Sequence, residues 1–460
     1  MTITLQFLGA ARQVTGSKHL LTVNDKRILL DCGMVQGPRR IADKLNAHLP
    51  LEPSQVDAVV LSHAHIDHSG SLPRLVKLGF GGTIHSTHAT KDLCEILLAD
   101  SANIQASDAR YLRKRGRDFE PAYEFADVEQ TLKQMKGAPY HEQVEVCKGV
   151  KATFLDAGHI IGSAQIILDV DDGETSLRIA FTGDLGRKGI PILRDPDPMP
   201  ECDVLITEST YGDRLHPDRG EIQEQVNRLL KEPSLQKGRI LIPAFSVGRT
   251  QNILWYLGNL IQAGLLDPLP IFVDSPLSMK ATAIVAKHRD LFDDEMKAAI
   301  DSGRDPFYFK GVNIVKDVTE SKALNNVRRG IIISASGMCE GGRILHHLER
   351  TVGRPEDTVL IVGFQAQGTL GRKLLEGYEY VKIYGERHRV RCQVRHINGL
   401  SAHADYSEML GHLKPIAKTT KRVFVVHGEE DPAMKFADHL TDAGFKNVEV
   451  PLFREQFQLA

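Results

Sequence analysis

The sequence predicts an α/β protein of two domains. Three observations carry that reading. At 460 residues the chain is long for a single core. Its first half breaks into short apolar strands, several ending in His, Asp or Glu near a glycine. From about residue 212, strand-like and helix-like segments alternate, the pattern of a parallel sheet with crossover helices. Hydrophobic content of 42 % and charged content of 25 % are those of a globular protein, without low-complexity or repeated segments.

Residues 1–35 read as strands Ile3–Leu8, His19–Val23 and Arg27–Asp31. The opening segment lacks the basic start and long apolar run of a signal peptide. Asp31 closes an apolar strand two residues before Gly33, where a turn residue is one reading. The buried-looking run Asp57–Ser62 then leads into His63-Ala-His65-Ile-Asp67-His68-Ser-Gly70. In extended backbone alternate side chains share a face, so His63 and His65 can grip one cation. Asp67 and His68 fall where the chain turns, and a turn can aim both at a second cation. Imidazole nitrogens with a carboxylate oxygen suit Zn²⁺ best, then Mn²⁺ or Fe²⁺.

Next come a short helix over Leu72–Leu78, a strand over Gly82–Ser86 and a long helix from Ala89 to about Arg117. That helix ends in the basic run Arg113-Lys-Arg-Gly-Arg117, read as a solvated end. His159 follows a strand and precedes a Gly-Ser loop, and Asp184 follows the strand Leu177–Thr182. Alone, each is as well explained by a turn. Glu208 ends the strand that begins at Asp203. Strands at Arg239–Pro243, Pro270–Asp274, Gly330–Ser334 and Thr358–Gln365 alternate with helices at Arg249–Ile261 and Ser278–Phe292. Ser401-Ala-His403-Ala-Asp405 and a closing strand ending at His427 finish the pattern, and His427 can complete a second metal's shell beside Asp67 and His68. Trp255 reads as core; His19, His85, His88, His288, His346, His347 and His396 read by default as surface side chains.

No apolar run approaches the ~18 residues that span a bilayer. Six cysteines without a CxxC pair fit reduced thiols, so a cytoplasmic protein is expected. A net charge of −2 does not advertise a nucleic-acid partner, so a polyanion must be met by a local cationic patch.

His63-Ala-His-Ile-Asp-His68 matches the HxHxDH signature of the metallo-β-lactamase superfamily. Later segments resemble its β-CASP nucleases. Glu208 in Thr-Glu-Ser-Thr-Tyr-Gly is similar to motif A, His403 in Ser-Ala-His-Ala-Asp to motif B and His427 in Val-His-Gly-Glu to motif C. Pro243–Arg249, Asp274–Leu277, Ser334–Arg343 and Gly368–Arg372 look like segments of the inserted domain. The resemblance covers essentially the whole chain. It is strongest to bacterial and archaeal relatives of the pre-mRNA 3′-end cleavage endonuclease.

The resemblance implies an αββα metallo-β-lactamase sandwich over residues 1–211, a parallel-sheet α/β β-CASP domain over 212–390, and a return to the first domain over 391–460. It implies that His159 and Asp184 are ligands, His159 with His63 and His65, and Asp184 bridging two Zn²⁺ ions per chain. It implies that Asp31 orients a ligand histidine from behind. Asp67, Glu208 and His403 become catalytic residues. His403 is the expected general acid with Glu208 as its partner; an N-cap or a structural salt bridge for Glu208, or a further ligand role for His403, is the competing reading. The expected activity is a zinc-dependent ribonuclease, an endonuclease leaving 5′-phosphate and 3′-hydroxyl ends, with added 5′-exonuclease activity left open. RNA, not DNA, is expected because family members with His at motif C act on RNA. A homodimer is an expectation carried over from relatives. Arg249, Ser336, Gly337 and Arg372 follow strands in Gly-rich loops that could grip phosphates, with helix capping as the competitor. A non-catalytic scaffold is disfavoured because the ligand set is intact, and a small-molecule hydrolase because such enzymes lack motifs A to C.

Overall fold

The computed structural model describes residues 2–37, 39–114, 116, 119–217, 219–232, 237–397 and 399–460. Arg115 and Arg117 of the basic run lie outside them. The chain divides into two compact units: Met1–Lys188 with Arg194–Leu215 and His403–Ala460, and Gly189–Leu193 with His216–Ala402.

In the first unit two seven-stranded sheets face one another. One runs, in spatial order, Gln456–Gln458, Ile3–Gly9, Lys18–Val23, Lys26–Leu30, Ala58–Val60, Thr83–Thr87 and Met135–Ala138. The other runs Val448–Glu449, Arg422–Val425, Val204–Thr207, Ser176–Phe181, Ala164–Asp171, Val150–Asp156 and Gln143–Cys147. Period-two patterning explains the interface. Ile3, Leu5 and Phe7 alternate along one strand, Ile166, Leu168 and Val170 along another, and all are buried in one shared core. The second sheet's outer face, through Ile167, Ala180, Leu205 and Val425, packs on Met409, Leu413, Phe436 and Leu440 of helices Tyr406–Leu413 and Glu430–Asp442. The helix His88–Arg113, with Leu93 and Leu98 buried, packs against the first sheet's far strands. This is the expected αββα sandwich.

The second unit holds a six-stranded, all-parallel sheet in the order Val312–Ile314, Ile271–Asp274, Gly330–Ser334, Arg239–Pro243, Thr358–Ile361 and Gln393–His396. Helices Arg249–Gln262, Pro276–Lys287 and Arg343–Thr351 connect its strands. Trp255 is buried, as expected. The sequence reading grouped 391–402 with the closing segment; here Gln393–His396 hydrogen-bonds in parallel to Thr358–Ile361. A separate two-stranded hairpin joins Tyr380–Ile383 to Glu386–Arg389.

Three histidines correct the default surface reading. His19 is fully buried between Phe7 and Phe181, and His85 is 8 % exposed. His347 is buried because the fully buried Asp274 carboxylate takes its Nε2 at 2.6 Å. A polar side chain enters a core when a partner waits there.

Candidate metal centre

Every candidate ligand follows the carboxyl end of a strand. His63 and His65 leave Ala58–Val60 in extended backbone, and Asp67 and His68 sit on the single helical turn Ile66–Ser69. His159 follows Val150–Asp156, Asp184 follows Ser176–Phe181, and His427 follows Arg422–Val425. Strands Ser176–Phe181, Val204–Thr207 and Arg422–Val425 are neighbouring and parallel, so Asp184, Glu208 and His427 emerge side by side. The loops of His159 and Asp184 meet backbone to backbone. Gly186 N–H donates to Ala157 O at 2.7 Å, and a Cβ on Gly186 would lie 2.0 Å from Gly158 O.

Two groups of donor atoms result. In the first, His63 Nε2 lies 3.1 Å from His65 Nδ1, and His65 Nδ1 lies 3.2 Å from His159 Nε2. Asp184 Oδ2 lies 3.3 Å from His63 Nε2 and 3.5 Å from His159 Nε2. In the second, His68 Nε2 is 2.9 Å from His427 Nε2 and 3.2 Å from Asp184 Oδ1. His427 Nε2 is 3.7 Å from both Asp67 Oδ2 and Asp184 Oδ1. Asp184 thus turns one oxygen to each group.

These spacings fit a metal. Four donors held tetrahedrally at about 2.0–2.1 Å from one Zn²⁺ lie roughly 3.3–3.4 Å apart. The observed separations bracket that value. Nitrogen lone pairs converging at such distances repel one another unless a proton or a cation lies between them.

For the first group the electrostatics agree. Burial, reinforced by His63, pushes the His65 imidazole down to about 3. Burial and His403 hold His159 well below its ordinary value, so these rings are neutral and their lone pairs available. For His68, burial opposes the charged form, but Asp184 and then Asp31 outweigh it and raise the ring well above the ordinary value.

Behind the ligands stands a hydrogen-bonded layer. Asp31, held at φ +58°, accepts from Ser62 N at 2.8 Å, Ser62 Oγ at 3.0 Å, Ser17 Oγ at 3.2 Å and His68 Nδ1 at 2.7 Å. That sends His68 Nε2 into the site. Ser62 spends its proton on Asp31, so its oxygen accepts from His63 Nδ1 at 3.1 Å. Thr210 donates to the His427 carbonyl at 3.1 Å and takes His427 Nδ1–H at 3.2 Å. Sequence reasoning missed Ser17, Ser62 and Thr210. Their one available signal was adjacency, since Ser62 precedes His63 and Thr210 lies two residues past Glu208.

Glu208 is fully buried. Its carboxylate accepts from Leu185 N at 2.6 Å, Thr210 N at 3.4 Å and His403 Nδ1 at 3.0 and 3.1 Å. His403 Nε2 faces Asp184 Oδ2 at 3.9 Å, and the side chain keeps 17 % exposure. Burial alone would lower the His403 ring; Glu208, followed by Asp184, reverses this and raises it to about 9. The His403 loop is clipped in place by Ala404 N–H to Leu185 O at 2.8 Å, and Arg187 Nε grips Glu408, the residue that caps the following helix.

The four candidate phosphate contacts all lie in the second unit, Ser336 and Gly337 in a loop after a parallel strand and Arg249 and Arg372 in the first turns of helices joined by short loops. Arg249 opens its helix behind Gly248 and is 8 % exposed. Ser336 Oγ accepts from Glu340 N at 3.3 Å, and Gly337 O accepts from Gln365 Nε2 at 2.9 Å. Arg372 Nε is bound to Glu376 at 2.6 Å. Ser336, Gly337 and Arg372 therefore each already have a partner within the unit.

Three family models match the chain: the metallo-beta-lactamase superfamily over residues 16–146, the Beta-Casp domain over 250–374, and the Zn-dependent metallo-hydrolase RNA specificity domain over 387–451. With the donor geometry, these define a metal-dependent hydrolase of the metallo-β-lactamase class. The chain is 36 % identical over 424 residues to ribonuclease TTHA0252 of Thermus thermophilus, covering 92 % of each. It is 32 % identical to an RNase J-like protein of Methanocaldococcus jannaschii, covering 98 % of this chain and 97 % of that one. It is 30 % identical to transcription termination factor FttA of Methanosarcina mazei, covering 94 % of this chain and 67 % of that one. A crystal structure of a protein of unknown function from Enterococcus faecalis V583 aligns over the full length of both chains, with TM-score 0.54 at 13 % identity, and shows the shared fold. The chain belongs to the β-CASP family of the metallo-β-lactamase superfamily.

Proposed function

We propose that the protein is a zinc-dependent endoribonuclease that hydrolyses RNA to leave 5′-phosphate and 3′-hydroxyl ends. The observation that supports this most directly is the His403–Glu208 pair beside two donor groups that share Asp184. RNA as substrate comes from the ribonuclease relatives and from His427 at motif C.

His63, His65, His159 and Asp184 would hold one Zn²⁺, and Asp67, His68, His427 and Asp184 a second. When bound, the ions supply acidification of the attacking water and neutralisation of phosphoryl charge. The remaining work falls to side chains. Asp67, on the rim of the second group, orients the attacking water by accepting its hydrogen bond. His403, kept protonated by Glu208, donates its Nε2 proton to the departing ribose 3′-oxygen. Glu208 fixes the tautomer by taking Nδ1–H, and through Leu185 N–H it ties the acid to the Asp184 loop. Arg249, Ser336, Gly337 and Arg372 would contact backbone phosphates once their internal partners exchange. All six cysteines are free, as a reducing cytoplasm keeps them, and among the described residues no helix is long and apolar enough to cross a membrane.

The test is end-labelled RNA with zinc-loaded protein. His403→Ala should lose about 10²–10⁴-fold in kcat with zinc content unchanged. A 2′,3′-cyclic phosphate product would exclude water as nucleophile, and equal rates for wild type and variant would remove His403 as the acid.

A further inference from the structure

The hairpin Tyr380–Ile383/Glu386–Arg389 stands apart from the larger sheets and has no role in the chemistry above. Its strands are sorted by face. Val381 and Ile383 are 2 % and 1 % exposed and join the second unit's core. Their cross-strand partners, His388 and Glu386, share that inner side. The outer side pairs Tyr380 with Arg389 and Lys382 with Arg387, all four exposed. The outer face carries cations and an aromatic ring; the strand acid Glu386 lies on the other side, where it too stays exposed, close to Glu349 and His388. Residues 378–391 carry four Lys or Arg against two Glu, a local charge of +2 on a chain whose total is −2.

The aromatic groups are set out for stacking. The Arg387 guanidinium lies over the Tyr380 ring at 3.9 Å, and that residue is still 37 % exposed. Tyr384 forms the tip, 46 % exposed, its ring 5.0 Å from His346. Two residues, Tyr384 and Gly385, make the turn, with φ +52° and +85°. Such turns favour Asn or Gly at the first position, and a tyrosine there is strained by about 1 kcal/mol. The ring rests in part on His346, and about half of the residue stays open to solvent. Among the described residues, the acid paired to the outer face is Glu379, 3.2 Å from Arg389, an exposed pair that a phosphate can displace.

We propose that this hairpin is a second RNA contact, a platform on which bases of a single strand stack against Tyr380 and Tyr384 while Lys382, Arg387 and Arg389 meet its phosphates. Stacking on exposed rings with flanking cations is sequence-tolerant and needs unpaired bases. The inference rests on the ribonuclease reading for its partner, so the experiment separates the two.

Binding of a fluorescein-labelled polyuridylate is followed by anisotropy in a His403→Ala background, which keeps the RNA intact, and cleavage is measured separately with wild type. Tyr380→Ala with Arg387→Ala should weaken binding about 10-fold. Replacing Lys382, Arg387 and Arg389 together by Ala should flatten the salt dependence of log K by about 2. Both variants should melt with the parent, since the side chains are exposed. Wild type that cleaves RNA while the hairpin variants bind with parental affinity and salt slope overturns the platform alone. Hairpin-dependent binding without cleavage by wild type overturns the ribonuclease reading and leaves the platform. A variant that changes sedimentation mass at constant RNA affinity would show a self-association surface, and the platform falls.

Discussion

Glu208→Gln is the most informative single change. The native carboxylate is wholly buried and shares both oxygens with His403 Nδ1 at 3.0 and 3.1 Å. Cations at Asp184 would cancel much of that residue's pull on His403, which leaves Glu208 as the anion that keeps the ring charged. A hydrogen bond to a charged group is worth about 1.5–3 kcal/mol. Losing two such contacts in part, we expect about 2–3 kcal/mol less support for the imidazolium, or roughly 30- to 150-fold. The sign is fixed by the direction of the shift. A His raised by its partner is protonated below its folded value and loses the proton as pH rises through it. The alkaline limb of kcat should therefore move down by about 1.5–2 pH units in the variant, while the acid side changes less. The assay is kcat against pH on end-labelled RNA, with zinc measured by elemental analysis at each end of the range. A uniform drop at every pH, with the limb in place, would make Glu208 a structural brace. Loss of zinc with activity would make it part of the ligand set.

Other expectations follow from the same structure. Asp31→Asn replaces the carboxylate that sets and polarises His68 with a neutral amide, so affinity of the second donor group for Zn²⁺ should fall about 10–100-fold in a chelator competition. Arg239→Met leaves the fully buried Asp357, which Arg239 binds through Nη2 at 2.6 Å and Nε at 3.0 Å, with the half-exposed Arg354 at 3.3 Å as its remaining cationic partner. We expect about 3–5 kcal/mol of destabilisation by calorimetry, largely recovered in Arg239→Met with Asp357→Leu; equal losses in both would refute the buried-charge account. His412 is buried, its Nε2–H donating to Gln165 Oε1 at 2.8 Å, and burial lowers its ring to about 4. Its contribution is present above the unfolded value near 6.5 and lost as pH falls toward 4, about 3 kcal/mol in all. His412→Asn should flatten stability across that window.

The sequence showed most where several donors fell close together. Four within six residues, from His63 to His68, are hard to read as anything but a metal site. His159 and Asp184 were different, because one His or one Asp beside a glycine looks like any turn, and only the superfamily resemblance assigned them. Ser62 and Thr210 were illegible, since a hydroxyl placed by one hydrogen bond has no periodicity. The polar helix Phe125–Gln134 and the short edge strands Met135–Ala138 and Gln143–Cys147 went unread for want of apolar patterning. His347 was read as surface because its partner, Asp274, lies more than seventy residues away in the chain, at a separation of 73.

The donors come from opposite halves of the sandwich. His63, His65, Asp67 and His68 extend from one sheet, and His159, Asp184 and His427 from the other. Loading with metal would therefore act as a rivet through both layers. Anything that binds the folded form alone stabilises it by mass action. Stripping the metal with a chelator should lower the melting point of the sandwich before it touches the parallel-sheet unit, so a calorimetric trace would split into two transitions under chelation.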